Sequence, residues 1–169
     1  GVSSEPVVVR IYVREGVTLS MIDMPGLTKI ALQGQPSDLP ALIEKINKTY
    51  IQNPNSIILA VSPANVDVAN SDALRLAREF DPEGARTVGV FTKMDLLEDP
   101  TTIRKAFEGK AYPLKLGYYG LVCRSQTDIQ KRTTVQQALQ KEAQFFRSSQ
   151  LFVEYQDFCG VPNLNYRLN

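Results

Sequence analysis

Three short stretches carry residue types and spacings that could do chemistry. The first reads Asp23-Met24-Pro25-Gly26 and follows an apolar run. A carboxylate leaving a buried strand can hold a Mg²⁺ ion through water, and a glycine three residues on lets a backbone N–H approach a terminal phosphate. A strand followed by a plain Pro-Gly turn would read the same way. The second stretch reads Thr92-Lys93-Met94-Asp95. An ionised carboxylate only accepts hydrogen bonds. Guanine offers two adjacent donors, the ring N1–H and the exocyclic amine, and adenine offers no such pair. One aspartate can therefore select guanine, while the stem of Lys93 lies along the base plane. The competing reading is a helix cap beside a solvated lysine. The third stretch, Cys123-Arg124-Ser125-Gln126, can aim backbone N–H groups at a carbonyl oxygen and lay a guanidinium plane on a ring, though a polar turn would look alike.

These stretches need elements that bring them together. Val7 to Val13 and Leu19 to Ile22 are rich in strand formers and read as two strands, paired as a hairpin about Gly16. Asp38 caps a helix running to about Ile51, with Leu42, Ile43, Ile46 and Tyr50 on its apolar side. Ile57 to Val61 and Val88 to Phe91 are short, fully apolar runs of the kind found in buried parallel strands, and Tyr118 to Cys123 is a further strand. Between and after them the spacing predicts helices over Ser71 to Phe80 (capped by Asn70), Thr101 to Phe107, Thr134 to Arg147 and Leu151 to Phe158. The alternation predicts one α/β domain with a mainly parallel sheet and flanking helices, which binds ligands at the carboxyl ends of its strands. Asp23, Asp95 and Arg124 each follow an apolar strand, in the order a guanine-nucleotide site requires.

Composition narrows the field. The chain has 169 residues, of which 43% are hydrophobic, enough for a core. A formal net charge of +1 gives no electrostatic case for nucleic acid as a partner. With no histidine, a His-based triad is excluded, and two cysteines, Cys123 and Cys159, make no disulfide framework. No run is long and apolar enough to span a bilayer, so a cytosolic location is expected.

At these residues the chain resembles the dynamin superfamily of large GTPases, which includes the Mx proteins. Leu27 stands where small Ras-like proteins carry a glutamine, and the run Ile22 to Lys29 resembles the dynamin pattern. So do Gln35 to Asp38, Leu59 to Asp67, Ala69 to Leu74, Asp81 to Gly84, Arg86 to Val90, Gly117-Tyr118 and Arg124 to Ile129. The resemblance runs from about Val7 to the end. It implies a P-loop-type GTPase fold, with Asp23 and Gly26 on the phosphate side and Asp23 the water-mediated Mg²⁺ ligand. It places Thr92, Lys93, Asp95, Glu98, Cys123, Arg124, Ser125 and Gln126 around the guanine. It also implies that Asp67 reaches across a head-to-head dimer, where the alternative is a loop acid capping nearby N–H groups. Cys123 matches Mx proteins and Arg124-Ser125-Gln126 matches dynamins, which leaves the subfamily open.

No G-x-x-x-x-G-K-[ST] loop occurs in the chain, and no switch threonine is identifiable. Val161 to Leu164 resembles the start of the helix that leads to the bundle signalling element. The expectation is a GTPase domain cut at both ends, lacking its P-loop and first switch and so non-hydrolytic by itself. Its parent would bind GTP or GDP with Mg²⁺, oligomerise through this domain and associate peripherally with membranes through domains not present here. The alternative is a naturally truncated, non-catalytic interaction module.

Overall fold

The computed structural model describes residues 2–16 and 18–168. The chain divides into two units, one up to Asn55 and one from Ser56 onward.

The first unit is built on helix α1, Leu39–Ile51. Pro40 lies in its first turn, where a missing N–H costs nothing and the fixed φ suits a helix. Leu39, Ile43, Ile46 and Ile51 form the buried face. Asp38 occupies the cap position, but its side chain makes no capping hydrogen bond. The strands expected over Val7 to Val13 and Leu19 to Ile22 do not form among the described residues, and Val17, between them, lies outside those residues. Side chains there stand in solvent, with Val7 93% and Ile11 81% exposed. β-Branched residues mark a segment suited to a half-buried pleat, yet a strand exists only where its backbone pairs and one face packs. Neither condition is met here.

The second unit holds a parallel sheet of β1 (Ile58–Pro63), β2 (Thr87–Thr92) and β3 (Tyr118–Gly120), in that order. The register pairs Ile58 with Thr87 through Pro63 with Thr92, and Gly89 with Tyr118 through Phe91 with Gly120. β2 is the central strand and is buried on both faces. One face carries Val88, Val90, Tyr119, Leu121 and Leu164 in a single core cluster. On the other, Phe91 stacks on Tyr118 with ring centroids 5.3 Å apart and meets Phe107 edge-on.

β3 is shorter than expected, and the reason is local. Leu121 N–H still donates to Phe91 O at 2.7 Å, but Val122 N–H donates to the Glu142 carboxylate instead of a strand. The ladder to β2 ends because β2 stops at Thr92 and turns away at left-handed Lys93, while Glu142 occupies the outer edge of the chain leaving β3.

Around the sheet lie α2 (Asp72–Phe80), α3 (Thr101–Phe107), α4 (Gln126–Gln130), α5 (Val135–Ser148) and α6 (Val161–Leu168). Ser71, rather than Asn70, caps α2, its Oγ accepting from Leu74 N–H. Residues 153–158 form 3₁₀ turns instead of the expected α-helix, with Tyr155 off helical geometry. Tyr155 and Phe158 both reach Phe107, and Tyr155 Oη donates to Glu108.

A buried acid, Asp81, anchors the entry to β2. It accepts from Ala85 N–H, Arg86 N–H and Thr87 Oγ1 at 2.9, 3.0 and 2.6 Å. Burial alone would raise its pKa, but the hydrogen bonds from Thr87, Arg86 and Ala85 outweigh it and hold the carboxyl below its ordinary 3.8. Because the folded value is depressed, the contribution is complete above the unfolded value and is lost as pH falls through the folded one. Asp81→Asn is therefore expected to lower stability at neutral pH by about 1–3 kcal/mol. It should also flatten the acid limb of melting temperature against pH below about 4, which thermal melts from pH 6 to 2 would read.

Candidate functional site

In a parallel sheet the carboxyl ends of all strands share one edge, and the crevice outside that edge takes ligands. Pro63, Thr92 and Gly120 end the three strands here, and Ala64 N–H closes onto Thr92 O at 2.7 Å. Two of the three sequence stretches follow these ends in the second unit.

Thr92 is half-buried at the end of β2. Lys93 adopts the left-handed conformation, φ 57° and ψ 38°, which a residue with a Cβ enters at a cost of roughly 1–3 kcal/mol. The turn is held from below. Met94 is 1% exposed and packs beneath Gly120, where any Cβ would meet its side chain. Met94 N–H also donates to Leu121 O. The reversal at Lys93 opens a 3₁₀ turn over Met94–Leu96, which buries Met94 and leaves Lys93, Asp95 and Glu98 on the solvent side.

The loop after β3 lies beside this turn. Burial raises the Cys123 thiol pKa, and the negative charges of Glu142 and Asp95 add to the effect. The carboxylate of Asp95 thus acts electrostatically on the first residue of the neighbouring loop. Arg124 is exposed, and its Nη1 donates to Thr133 O at 3.2 Å. Ser125 is committed to capping α4. Its Oγ accepts from Asp128 N–H, and its own N–H and Oγ donate to Asp128 Oδ2 at 3.1 and 2.7 Å. Ser125 N–H is therefore engaged rather than aimed outward. Gln126, the first residue of α4, is exposed.

Asp67 follows β1, exposed, and accepts from Ala69 N–H at 3.0 Å as the cap of a 3₁₀ turn over Val68–Asn70. That is the local capping role set beside the dimer contact.

Asp23 and Gly26 belong to the first unit and are exposed. Pro25 O between them accepts from Asn47 Nδ2 at 3.1 Å, so α1 fixes the backbone of this stretch. A Cβ at Gly26 would meet nothing within 4 Å. Nothing in this unit requires glycine there. Among the described residues no group of three or more Cys, Asp or Glu side chains could hold a metal ion. A single carboxylate still suits Mg²⁺, which keeps most of its waters and takes other ligands from phosphates.

Three residues that position these stretches are not among the candidate site residues. Asn47 sits on the buried face of α1. Asp128 caps the loop from one side and pairs with Lys141 at 2.5 Å, and its carboxyl pKa is lowered by hydrogen bonds from Lys141 and Ser125. Ser125-x-x-Asp128 has capping-box spacing, a signal that could have found it. Glu142 is 2% exposed. Its signal is positional, since Ala138, Glu142 and Phe146 recur at four-residue steps and place a carboxylate on the inward face of α5.

The fold defines a parallel α/β protein, and the exposed acid just past the end of its central strand marks a candidate site at the strand ends. Comparison with known sequences gives the family. A profile described as Dynamin family matches residues 1–94, and one described as Dynamin central region matches residues 102–169. The chain belongs to the dynamin family. It is 46% identical over all 169 residues to Dynamin-related protein 3B of Arabidopsis thaliana, of which it covers 22%. It is 45% identical over its whole length to Dynamin of Drosophila melanogaster, covering 19% of that protein. Dynamin-2 of Rattus norvegicus is 44% identical over the same span, also with 19% covered. The chain thus spans about a fifth of the length of these curated relatives. No described helix is long and apolar enough to cross a membrane.

Proposed function

We propose that residues 1–169 form part of one GTPase domain and carry its guanine-reading side. In this reading the whole protein couples GTP turnover to self-assembly and membrane remodelling. The observation that supports it most is the turn at Lys93. A left-handed residue at the end of the central strand, anchored by buried Met94, sets Asp95 in solvent beside the Cys123 loop. In that position the carboxylate accepts from guanine N1–H and the exocyclic amine, and the stem of Lys93 covers the base. Arg124 flanks the ring after leaving Thr133 O, and Glu98 lies toward the ribose. Asp23 would hold Mg²⁺ through water, the ion supplying charge neutralisation at the phosphates when bound. Asp67 makes a contact across a dimer of GTPase domains when released from Ala69 N–H.

Phosphate binding in such sites comes from a Gly-rich loop with its lysine, and no such loop occurs in these residues. The purified 169-residue chain is expected to release phosphate from GTP at background rate and to bind nucleotide weakly. Steady-state release clearly above background would overturn that division of labour. The protein at the length its transcript encodes is expected to prefer GTP to ATP by roughly a hundredfold or more in competitive titration. Equal affinities would remove the guanine reading.

A further inference from the structure

Glu142 is almost wholly buried, and both of its oxygens are used. Oε1 accepts from Val122 N–H and Oε2 from Val161 N–H, each at 2.9 Å. Val122 stands one residue before Cys123, where the loop after β3 departs. Val161 is the first residue of α6. A carboxylate so enclosed persists only when its oxygens are satisfied, and here two backbone amides from distant parts of the chain satisfy them.

The surroundings make the arrangement exclusive. Gly160 sits at φ +90°, a conformation that disfavours any side chain, and an added Cβ would lie 3.6 Å from Oε2. Its own N–H donates to Gly120 O at 2.8 Å, so the chain entering α6 also runs along the end of β3. Asn163 Nδ2 fixes the first turn of α6 by donating to Gln156 O and Cys159 O. Burial, with the charge of Glu142 adding to it, pushes the Cys159 thiol up to about 12. The loop after β3 and the start of α6 are thus tied to one carboxylate on a third element, α5.

We propose that Glu142 is a positioning residue that couples the base-side loop to the seating of α6. Any ligand that orders residues 122–126 also orders the first turn of α6, and loosening α6 loosens the loop. The two amides share one rigid acceptor pair, so displacement of either moves the carboxylate away from the other. The ligand in question rests on the guanine reading above, but the tie itself does not.

The test reads amide exchange at Val122 and Val161 in the protein at the length its transcript encodes, with GDP as the probe. Without nucleotide, Glu142→Gln is expected to speed exchange at these amides by roughly tenfold or more, because the amide end of glutamine cannot accept. The amides of Val88 and Val90 should keep their protection. With GDP, both segments of the wild type should slow, whereas in Glu142→Gln the loop slows and Val161 does not. Unchanged exchange at both amides in the variant, or GDP protection of Val161 that survives the substitution, would overturn the proposal. Should Glu142→Gln fail to fold, Glu142→Asp, one methylene too short to reach both amides, takes its place. Failure of GDP to bind the wild type would strike the guanine reading alone, since the nucleotide-free exchange still scores the tie.

Discussion

Asp95→Asn is expected to weaken GTP binding by roughly ten- to a hundredfold and to make xanthosine triphosphate the better ligand. The argument is one of donors and acceptors. A carboxylate accepts from both of guanine's neighbouring donors. An asparagine amide accepts with its oxygen, but its NH₂ faces guanine's own amine, donor against donor. Xanthine replaces that amine with a carbonyl, and the match is restored. The substitution is nearly isosteric at an exposed side chain, and the turn that carries it is fixed by Lys93 and Met94 rather than by the carboxylate. Stability should therefore hold. Titration with GTP and xanthosine triphosphate separates the outcomes. Loss of both affinities together would mean a damaged fold, and unchanged GTP affinity would remove Asp95 from the site.

The parallel sheet, strands β1 and β2 and helices α1, α2, α3 and α5 were legible in the sequence because each apolar run is short, bounded and of one period. β1 and β2 lie within a residue or two of where their apolar runs place them. The failures share a cause. Val7 to Val13 carries the composition of a strand but pairs with no strand among the described residues, and composition cannot report pairing. The end of β3 depends on its partner strand, since β2 turns away at left-handed Lys93 before Cys123 could pair with it. The residues proposed to read the base stand out in the sequence as motifs. What holds them was legible only in part, because Ser125's engagement with Asp128 follows capping-box spacing whereas Lys93's left-handed backbone depends on the packing of buried Met94.

Three acids outside the candidate site residues do the same physical work. Asp81 gathers two backbone amides and a hydroxyl before β2, Asp128 gathers the amide and hydroxyl of Ser125, and Glu142 gathers two amides after β3. Each satisfies N–H groups that the ends of a small parallel sheet leave without partners. Charge-assisted bonds of this kind are stronger than neutral ones and geometrically fixed. This explains how loops at both ends of a three-stranded sheet keep a defined shape. It also separates two kinds of acid in one chain: those with both oxygens occupied, which build, and exposed ones such as Asp95, which face solvent and suit the proposed reading of a ligand.

Gly89→Ala is expected to be among the most damaging single-methyl changes in the second unit. Gly89 lies mid-strand in β2, directly opposite Tyr118 in the parallel register, and an added Cβ would overlap the Tyr118 ring. The ring has nowhere to go. It is 1% exposed, stacked on Phe91 within 5° of parallel, and tethered by its Oη to Tyr112 O at 2.8 Å. Swinging it aside breaks the stack, the hydrogen bond or both. Overpacking of this kind costs about 1–3 kcal/mol, more where backbone must shift, which for a chain of this size lowers the melting temperature by roughly 5–10 °C. Thermal melts would read the loss, and the double variant Gly89→Ala with Tyr118→Ala tests its cause. If the clash is the mechanism, the methyl occupies space the ring has left, and the double variant melts no lower than Tyr118→Ala alone. If the two losses simply add, the glycine is needed for its backbone and not for the ring. The consequence for the site follows from position: Gly89 stands three residues before Thr92, so a strand displaced to admit the methyl shifts the turn at Lys93 and, with it, Asp95. GTP affinity of the protein at the length its transcript encodes should then fall with the melting temperature and recover in the double variant to the level of Tyr118→Ala, without any residue of the base-side loops having changed.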